Sequence, residues 1–286
     1  MKKKAEMLAE SRLRLIRSIP NFLTICNSLC GFAAILITLQ AYHLSGSLAE
    51  QSIVFAWSAA MILFAMVFDA FDGFAARLLN VASMHGIQMD SLSDMVTFGV
   101  APATLVAIMA HNMRELSSWR QFVPICILCA IYLGSAALRL ATYNVHAIVE
   151  KKSSEKFSGL PSPGAAAAIC SLVIYCAYNH GELKMVIRYL PIYAAFLGIL
   201  MVSNVPYMHF AKWLISTKRN RGRMGFLVAI LLIWCVSAVF MHNPFIVPVF
   251  LINAYVIWGP LSFLAVKLGI IKSAYGVIPE STEKGK

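Results

Sequence analysis

The chain has 286 residues, of which 59% are hydrophobic and only 13% charged, and its mean hydropathy is +0.73. Soluble domains run nearer half apolar and a quarter charged, so an ordinary water-soluble domain is excluded. The formal charge of +11 invites a nucleic-acid partner, but the Lys and Arg gather between and beside apolar runs, where they form a rim for anionic lipid head groups, and no nucleic acid is needed to explain them.

In chain order, residues 1–18 come first, carrying Lys2, Lys3 and Lys4 and then Ala5, Leu8, Ala9, Leu13, Leu15 and Ile16 interleaved with Arg, Lys and Glu. A helix lying in the membrane interface and a solvated basic tail fit this pattern equally well. Eight apolar runs follow, roughly 22–42, 52–76, 87–110, 122–143, 164–179, 189–208, 225–241 and 245–266. Most reach the ~20 residues a helix needs to cross ~30 Å of hydrocarbon. The first has no small-residue cleavage site after it and reads as a retained span. The predicted fold is therefore all-α: a polytopic transmembrane bundle of about eight spans over 19–270, with a cytoplasmic tail at 271–286. If the N-terminus is cytoplasmic, only Arg114, Arg120, Lys184 and Arg188 of the 24 Lys and Arg fall outside. That imbalance predicts both termini inside.

The seven cysteines lie in or beside apolar runs. Even the Cys126-x-x-Cys129 pair lacks the second pair or histidine that zinc or redox chemistry would need, so packing in a helix bundle is the better reading.

The sharpest feature is the placement of aspartate. The sequence holds four, Asp69, Asp72, Asp90 and Asp94, all inside one window where the second span ends and the third begins. A carboxylate at the centre of a bilayer costs roughly 2.5–3.5 kcal/mol, less near the interface, and four together repel, so a positive partner is implied. Asp69 and Asp72 share one helix face at i, i+3, and Asp90 and Asp94 share another at i, i+4. Converging oxygen ligands of this kind suit Mg²⁺ or Mn²⁺, as two ions; neither Cys nor His has zinc spacing here. Gly73 and Ala76 continue the face of Asp69. They read either as ordinary small-residue packing or as a groove for a base or phosphate. Arg77 is either a phosphate partner or a positive anchor at the membrane surface.

Written out, the window is Asp69-Ala70-Phe71-Asp72-Gly73-Phe74-Ala75-Ala76-Arg77, eight residues, Gly86, three residues, Asp90, three residues, Asp94. It resembles the D-x-x-D-G-x-x-A-R-x8-G-x3-D-x3-D signature of the CDP-alcohol phosphatidyltransferase family at every fixed position, and the flanking spans fit that family's six-helix core. Two further segments resemble its serine-transferring integral-membrane branch: Arg139-Leu140-Ala141-Thr142-Tyr143-Asn144 and Phe157-Ser158-Gly159-Leu160-Pro161-Ser162-Pro163. The opening Pro20-Asn21-Phe22-Leu23-Thr24, running on to Asn27 and Gly31, is shared more widely in the family.

The resemblance implies transfer of a phosphatidyl group from CDP-diacylglycerol to L-serine with release of CMP, by a homodimer working at the cytoplasmic side of the inner membrane. It implies Asp69, Asp72 and Asp90 as metal ligands, Asp69 and Asp90 bridging. Asp94 becomes the general base and a contact of the second ion. Gly73, Ala76 and Arg77 would take the cytidine diphosphate head, with Ser83, Thr24 and Asn27 bordering the nucleotide. Arg139 would meet the serine carboxylate and Asn144 would join it. The chemistry agrees: a diphosphate needs its charge neutralised, and a serine hydroxyl needs a base near neutral pH.

Three rivals remain at this point. An intramembrane prenyltransferase also pairs acidic motifs with a diphosphate lipid, but on well-separated helices. A cation transporter would need polar residues through the outer halves of the spans, which are bland. Another acceptor alcohol (glycerol 3-phosphate, inositol phosphate or choline) stays within the family, and a phosphorylated one could use the basic group Lys212, Lys218, Arg219, Arg221 and Arg223, unless that group is a plain cytoplasmic loop. A covalent-histidine route of the phospholipase D type is closed, because no histidine is followed by Lys two residues on.

Overall fold

A computed structural model describes residues 2–43, 47–79, 84–113, 118–149, 159–179, 184–205, 207 and 243–268. The expected all-helical architecture is found there: α1 (Lys2–His43), α2 (Leu48–Leu78), α3 (Met84–Asp94), a π-helical segment (Met95–Val100), α4 (Ala101–Met113), α5 (Trp119–Val149), α6 (Ser162–Tyr178), α7 (Lys184–Val202) and α8 (Ile246–Lys267). Among the described residues six stretches are long and apolar enough to cross a membrane, and α6 is a shorter apolar helix. The expected span 225–241, the basic group at 212–223 and the tail 271–286 lie outside the described residues.

The sequence of α1 explains the first contact. Pro20, Thr24, Asn27, Gly31, Ala34, Thr38 and Ala41 recur at alternating steps of four and three and are all buried. Phe22, Ile25, Leu29, Phe32, Leu36 and Leu39 recur with the same rhythm and are all exposed. A 3.5-residue period keeps one narrow seam turned into the bundle. Making that seam of small and polar residues lets two backbones approach closely in a medium with no hydrophobic drive between helices. α1 packs most widely on α2, on which Ser52, Phe55, Ala59 and Ile62 are buried. Between them Thr38 Oγ1 and Ser58 Oγ lie 2.7 Å apart, and Ser58 Oγ also reaches the Ala34 carbonyl at 2.8 Å.

α6 is the post at the middle of the bundle. Its residues 165–170 are buried without a break, and α2, α7 and α8 pack around it. A helix apolar all round has no face for solvent or lipid and belongs inside. Its approach is fixed by Gly159, which has φ +94° and donates its N–H to the Val205 carbonyl at 2.7 Å. A Cβ there would run into the Met201 carbonyl, so glycine is required on two grounds. Leu160 N–H then bonds the Leu200 carbonyl at 3.0 Å, and prolines at 161 and 163 flank the first turn of α6, where their missing N–H costs nothing.

Three boundaries differ from expectation. α1 runs unbroken from Lys2 through Pro20, where only the Ile16 carbonyl loses its donor. The third span is a single rod in which a π-helical turn interrupts the α pattern. α7 spans Lys184–Val202, not 189–208, because residues 203–205 leave the helix and receive the chain entering α6.

Candidate active site

The last turns of α2 carry Asp69, Asp72, Gly73 and Ala76, and α3 carries Gly86, Asp90 and Asp94. α2 leans mainly on α1 and α6, whereas α3 leans mainly on α1 and α5. The two acidic helices thus face each other over α1, which forms the floor between them. Across that gap the carboxylates of Asp69, Asp72 and Asp90 bring ligand oxygens within 4.8 Å of one another. Two oxygens on opposite sides of one Mg²⁺ at ~2.1 Å stand ~4.2 Å apart, so the trio is close to the size of a coordination sphere. Asp90 Oδ1 is enclosed and has no hydrogen-bond partner. An enclosed carboxylate oxygen without a donor calls for a cation, and the all-oxygen set suits a hard one.

Asp94 stands just outside the trio and beside Asp69. Its donor comes from the floor: Asn27 Nδ2 donates to Asp94 Oδ1 at 3.3 Å. Thr24 Oγ1 donates to Asp72 Oδ2 at 2.8 Å, with the Pro20 carbonyl 3.0 Å away on its other side. The two residues expected beside the nucleotide therefore turn their donors to the acids. The backbone of the same two residues is held in return. Ser93 Oγ donates to the Thr24 carbonyl at 2.9 Å and Thr97 Oγ1 to the Asn27 carbonyl at 3.1 Å.

Immediately after Asp94 the π-helical segment inserts its wider turn, a local device that recurs at functional sites. Tyr132 on α5 donates its hydroxyl to the Phe98 carbonyl at 2.8 Å, bracing this segment. On its α1 side Gly31 lets the helix come in close: a Cβ there would lie 2.5 Å from Thr97 Oγ1.

The acceptor candidates divide. Asn144 Oδ1 lies 2.8 Å from Ser91 Oγ, tying α5 to α3 between Asp90 and Asp94. Arg139 is half-buried on α5 and within electrostatic range of Tyr143 and of Tyr255 on α8. Asn144 is five positions on from Arg139, a step that turns the two ~140° apart on a helix. Gly73 and Ala76 are half-buried on α2. The Arg77 backbone continues α2, but its side chain and all of Ser83 lie outside the described residues. Sequence reading does not single out Ser91, Ser93 or Thr97; their signal was a hydroxyl on nearly every turn around the second acidic pair.

The sequence profile of a family described as CDP-alcohol phosphatidyltransferase matches residues 17–200. The chain is 35% identical over 199 residues to a CDP-diacylglycerol–serine O-phosphatidyltransferase of Bacillus subtilis, covering 68% of this chain and 92% of the relative. It is 30% identical over 203 residues to an archaetidylserine synthase of Methanothermobacter thermautotrophicus, covering 70% and 74%. A CDP-diacylglycerol–serine O-phosphatidyltransferase of Helicobacter pylori is 29% identical over 212 residues, covering 74% and 81%.

Proposed function

We propose, of a chain that belongs to the CDP-alcohol phosphatidyltransferase family, that it transfers the phosphatidyl group of CDP-diacylglycerol to L-serine and yields phosphatidylserine and CMP. The observation that carries this reading is the meeting of Asp69, Asp72 and Asp90 within 4.8 Å, each at its signature position. Relatives named for serine as acceptor, at 35% and 29% identity, support the choice of alcohol.

Mg²⁺ or Mn²⁺, two ions in this reading, would be held by Asp69, Asp72 and Asp90, with Asp94 beside them, and would supply positive charge against the diphosphate oxygens. Asp94 takes the proton of the serine hydroxyl. The serine oxygen then bonds to the phosphatidyl phosphorus as the bond from that phosphorus to the CMP oxygen breaks, and CMP leaves with the electron pair. Gly73 and Ala76 offer no side chain long enough to obstruct a cytidine diphosphate head along the α2 face. Arg77 and Ser83 are the proposed contacts of its phosphates and nucleotide, Arg139 is the proposed counter-charge of the serine carboxylate, and Asn144, on another face of α5, is a second proposed contact of serine from the α3 side. Holding the groups in line and fixing the surrounding charge is most of what such a transfer asks of a protein.

The acyl chains stay in the bilayer, which suits a site built between helices and not enclosed by them. The excess of Lys and Arg on one side supports an inner-membrane protein whose site opens to the cytoplasm. We propose a homodimer as its working form.

An acceptor panel tests the reading. Purified protein with CDP-diacylglycerol and Mn²⁺ should release CMP with L-serine and form phosphatidylserine. CMP release with glycerol 3-phosphate, inositol phosphate or choline and none with serine would contradict the acceptor and leave the transfer chemistry standing.

A further inference from the structure

We infer that Thr24 and Asn27 are positioning residues, through which α1 sets the aim of Asp72 on one side of the groove and of Asp94 on the other. The inference rests on the proposed transfer and deepens it by saying how the site is held in shape.

The two residues lie one helical step apart on the buried seam of α1, and each makes two bonds. Each points its side-chain donor at one acid, Thr24 at Asp72 and Asn27 at Asp94. Each also offers its carbonyl to a hydroxyl of the second acidic arm, Thr24 to Ser93 and Asn27 to Thr97. The same short segment therefore fixes where α3 and the π-helical segment sit and which way the carboxylates of both arms turn. Ligand carboxylates held in this way keep their geometry before a cation arrives, and loss of such partners typically costs about 10–100-fold in metal affinity or activity.

Burial separates this role from contact with the nucleotide. Thr24 is 5% exposed and Asn27 is 0% exposed, beneath the acids they touch. A head group in the groove meets the carboxylates first.

A role in packing alone is also a poor fit. Asn27 Oδ1 is enclosed with no hydrogen-bond partner, and a buried oxygen left without a donor works against the fold. An apolar residue of the same shape would spare that cost, but it would leave Asp94 without the amide donor. Thr24 has the same logic on the other side: valine has its shape and lacks only the hydroxyl that meets Asp72.

Two measurements on the purified full-length protein in lipid nanodiscs test the inference: Mn²⁺ binding without substrates, read by electron paramagnetic resonance of the free ion, and steady-state kinetics at saturating Mn²⁺. Thr24→Val should weaken Mn²⁺ binding by about 10–100-fold and leave the KM for CDP-diacylglycerol unchanged, and Thr24→Ser should restore binding. Asn27→Leu should lower kcat by about 10–100-fold with both KM values unchanged. If either branched replacement fails to fold, Thr24→Ala and Asn27→Ala remove the same donors with less bulk and carry the same expectations. A raised KM for CDP-diacylglycerol with unchanged Mn²⁺ binding would make these residues nucleotide contacts and overturn the inference. Normal values throughout would make them packing residues and overturn it too. The Mn²⁺ arm needs no substrate, so a wild-type protein that binds the ion in a Thr24-dependent way yet releases no CMP would sink the proposed transfer alone.

Discussion

Asp90 and Asp94 lie one turn apart on α3, and their surroundings give them different work. Asp90 has an enclosed oxygen with no donor and joins the trio that could hold a cation. Asp94 is outside that trio and receives an amide from Asn27. Replacing each by asparagine should separate the roles. Asp94→Asn removes the proposed base, so CMP release should fall about 10²–10⁴-fold while CDP-diacylglycerol still binds. Near-normal turnover of a folded Asp94→Asn protein would remove it from that role. Asp90→Asn should act on the ion: the Mn²⁺ concentration for half-maximal turnover should rise by more than the about 10–100-fold that partners of ligands command. An unchanged Mn²⁺ requirement in Asp90→Asn would count against its place as a ligand.

At the scale of helices, α1 is the part on which the site depends and the part its sequence least declares. Gly31 sits against the π-helical segment so tightly that a Cβ would lie 2.9 Å from the Thr97 Cα, a backbone atom that cannot swing aside. Gly31→Ala should therefore cost about 1–3 kcal/mol by overpacking. It should also depress turnover, because it pushes away the floor that carries Thr24 and Asn27. Two turns further along the seam, Thr38→Ala deletes a contact with Ser58 and should cost only about 0.6 kcal/mol, the average for a hydrogen bond between membrane helices. Thermal unfolding and CMP release measured on both variants check the contrast; equal losses would mean that the seam acts as one packing surface.

The helices themselves were legible, since apolar runs of membrane length have few alternatives, and the aspartate spacing foretold which acids share a face. Spacing along a helix says nothing of what lies opposite, however. Thr24 meets Asp72 across 48 positions and Asn27 meets Asp94 across 67, and no local pattern ties such pairs. The small and polar residues that recur along α1 form a buried seam in the structure, and nothing local in the sequence says that two acids rest on its end. The π-helical turn was equally hidden, because Tyr132 and Thr97 bring bonds to it from other helices or to other helices. Arg139 and Asn144 looked like one segment with one task, but the helix turns them apart.

The described part of the molecule is built around α6, with acids gathered where α2 and α3 lean on α1 and with α8 resting on α6. Val256 and Gly259 of α8 are buried, and Tyr207 donates its hydroxyl to the Val256 carbonyl at 2.9 Å. This helix lies beyond the stretch 17–200 that the family profile matches, and Tyr255 carries it to the neighbourhood of Arg139. Chelation provides a test at this scale: EDTA should abolish serine-dependent CMP release, and Mn²⁺ should restore it without refolding, since the bundle does not depend on an ion for its core. The central claim is narrower, that Asp69, Asp72 and Asp90 gather to hold a divalent ion against the diphosphate of CDP-diacylglycerol. Electron–nuclear double resonance of Mn²⁺ bound to the protein with CDP-diacylglycerol reads this directly. Coupling to ³¹P is the predicted result, lost together with the bound ion in Asp69→Asn and Asp90→Asn. Bound Mn²⁺ with no ³¹P coupling, or binding indifferent to both substitutions, would contradict it.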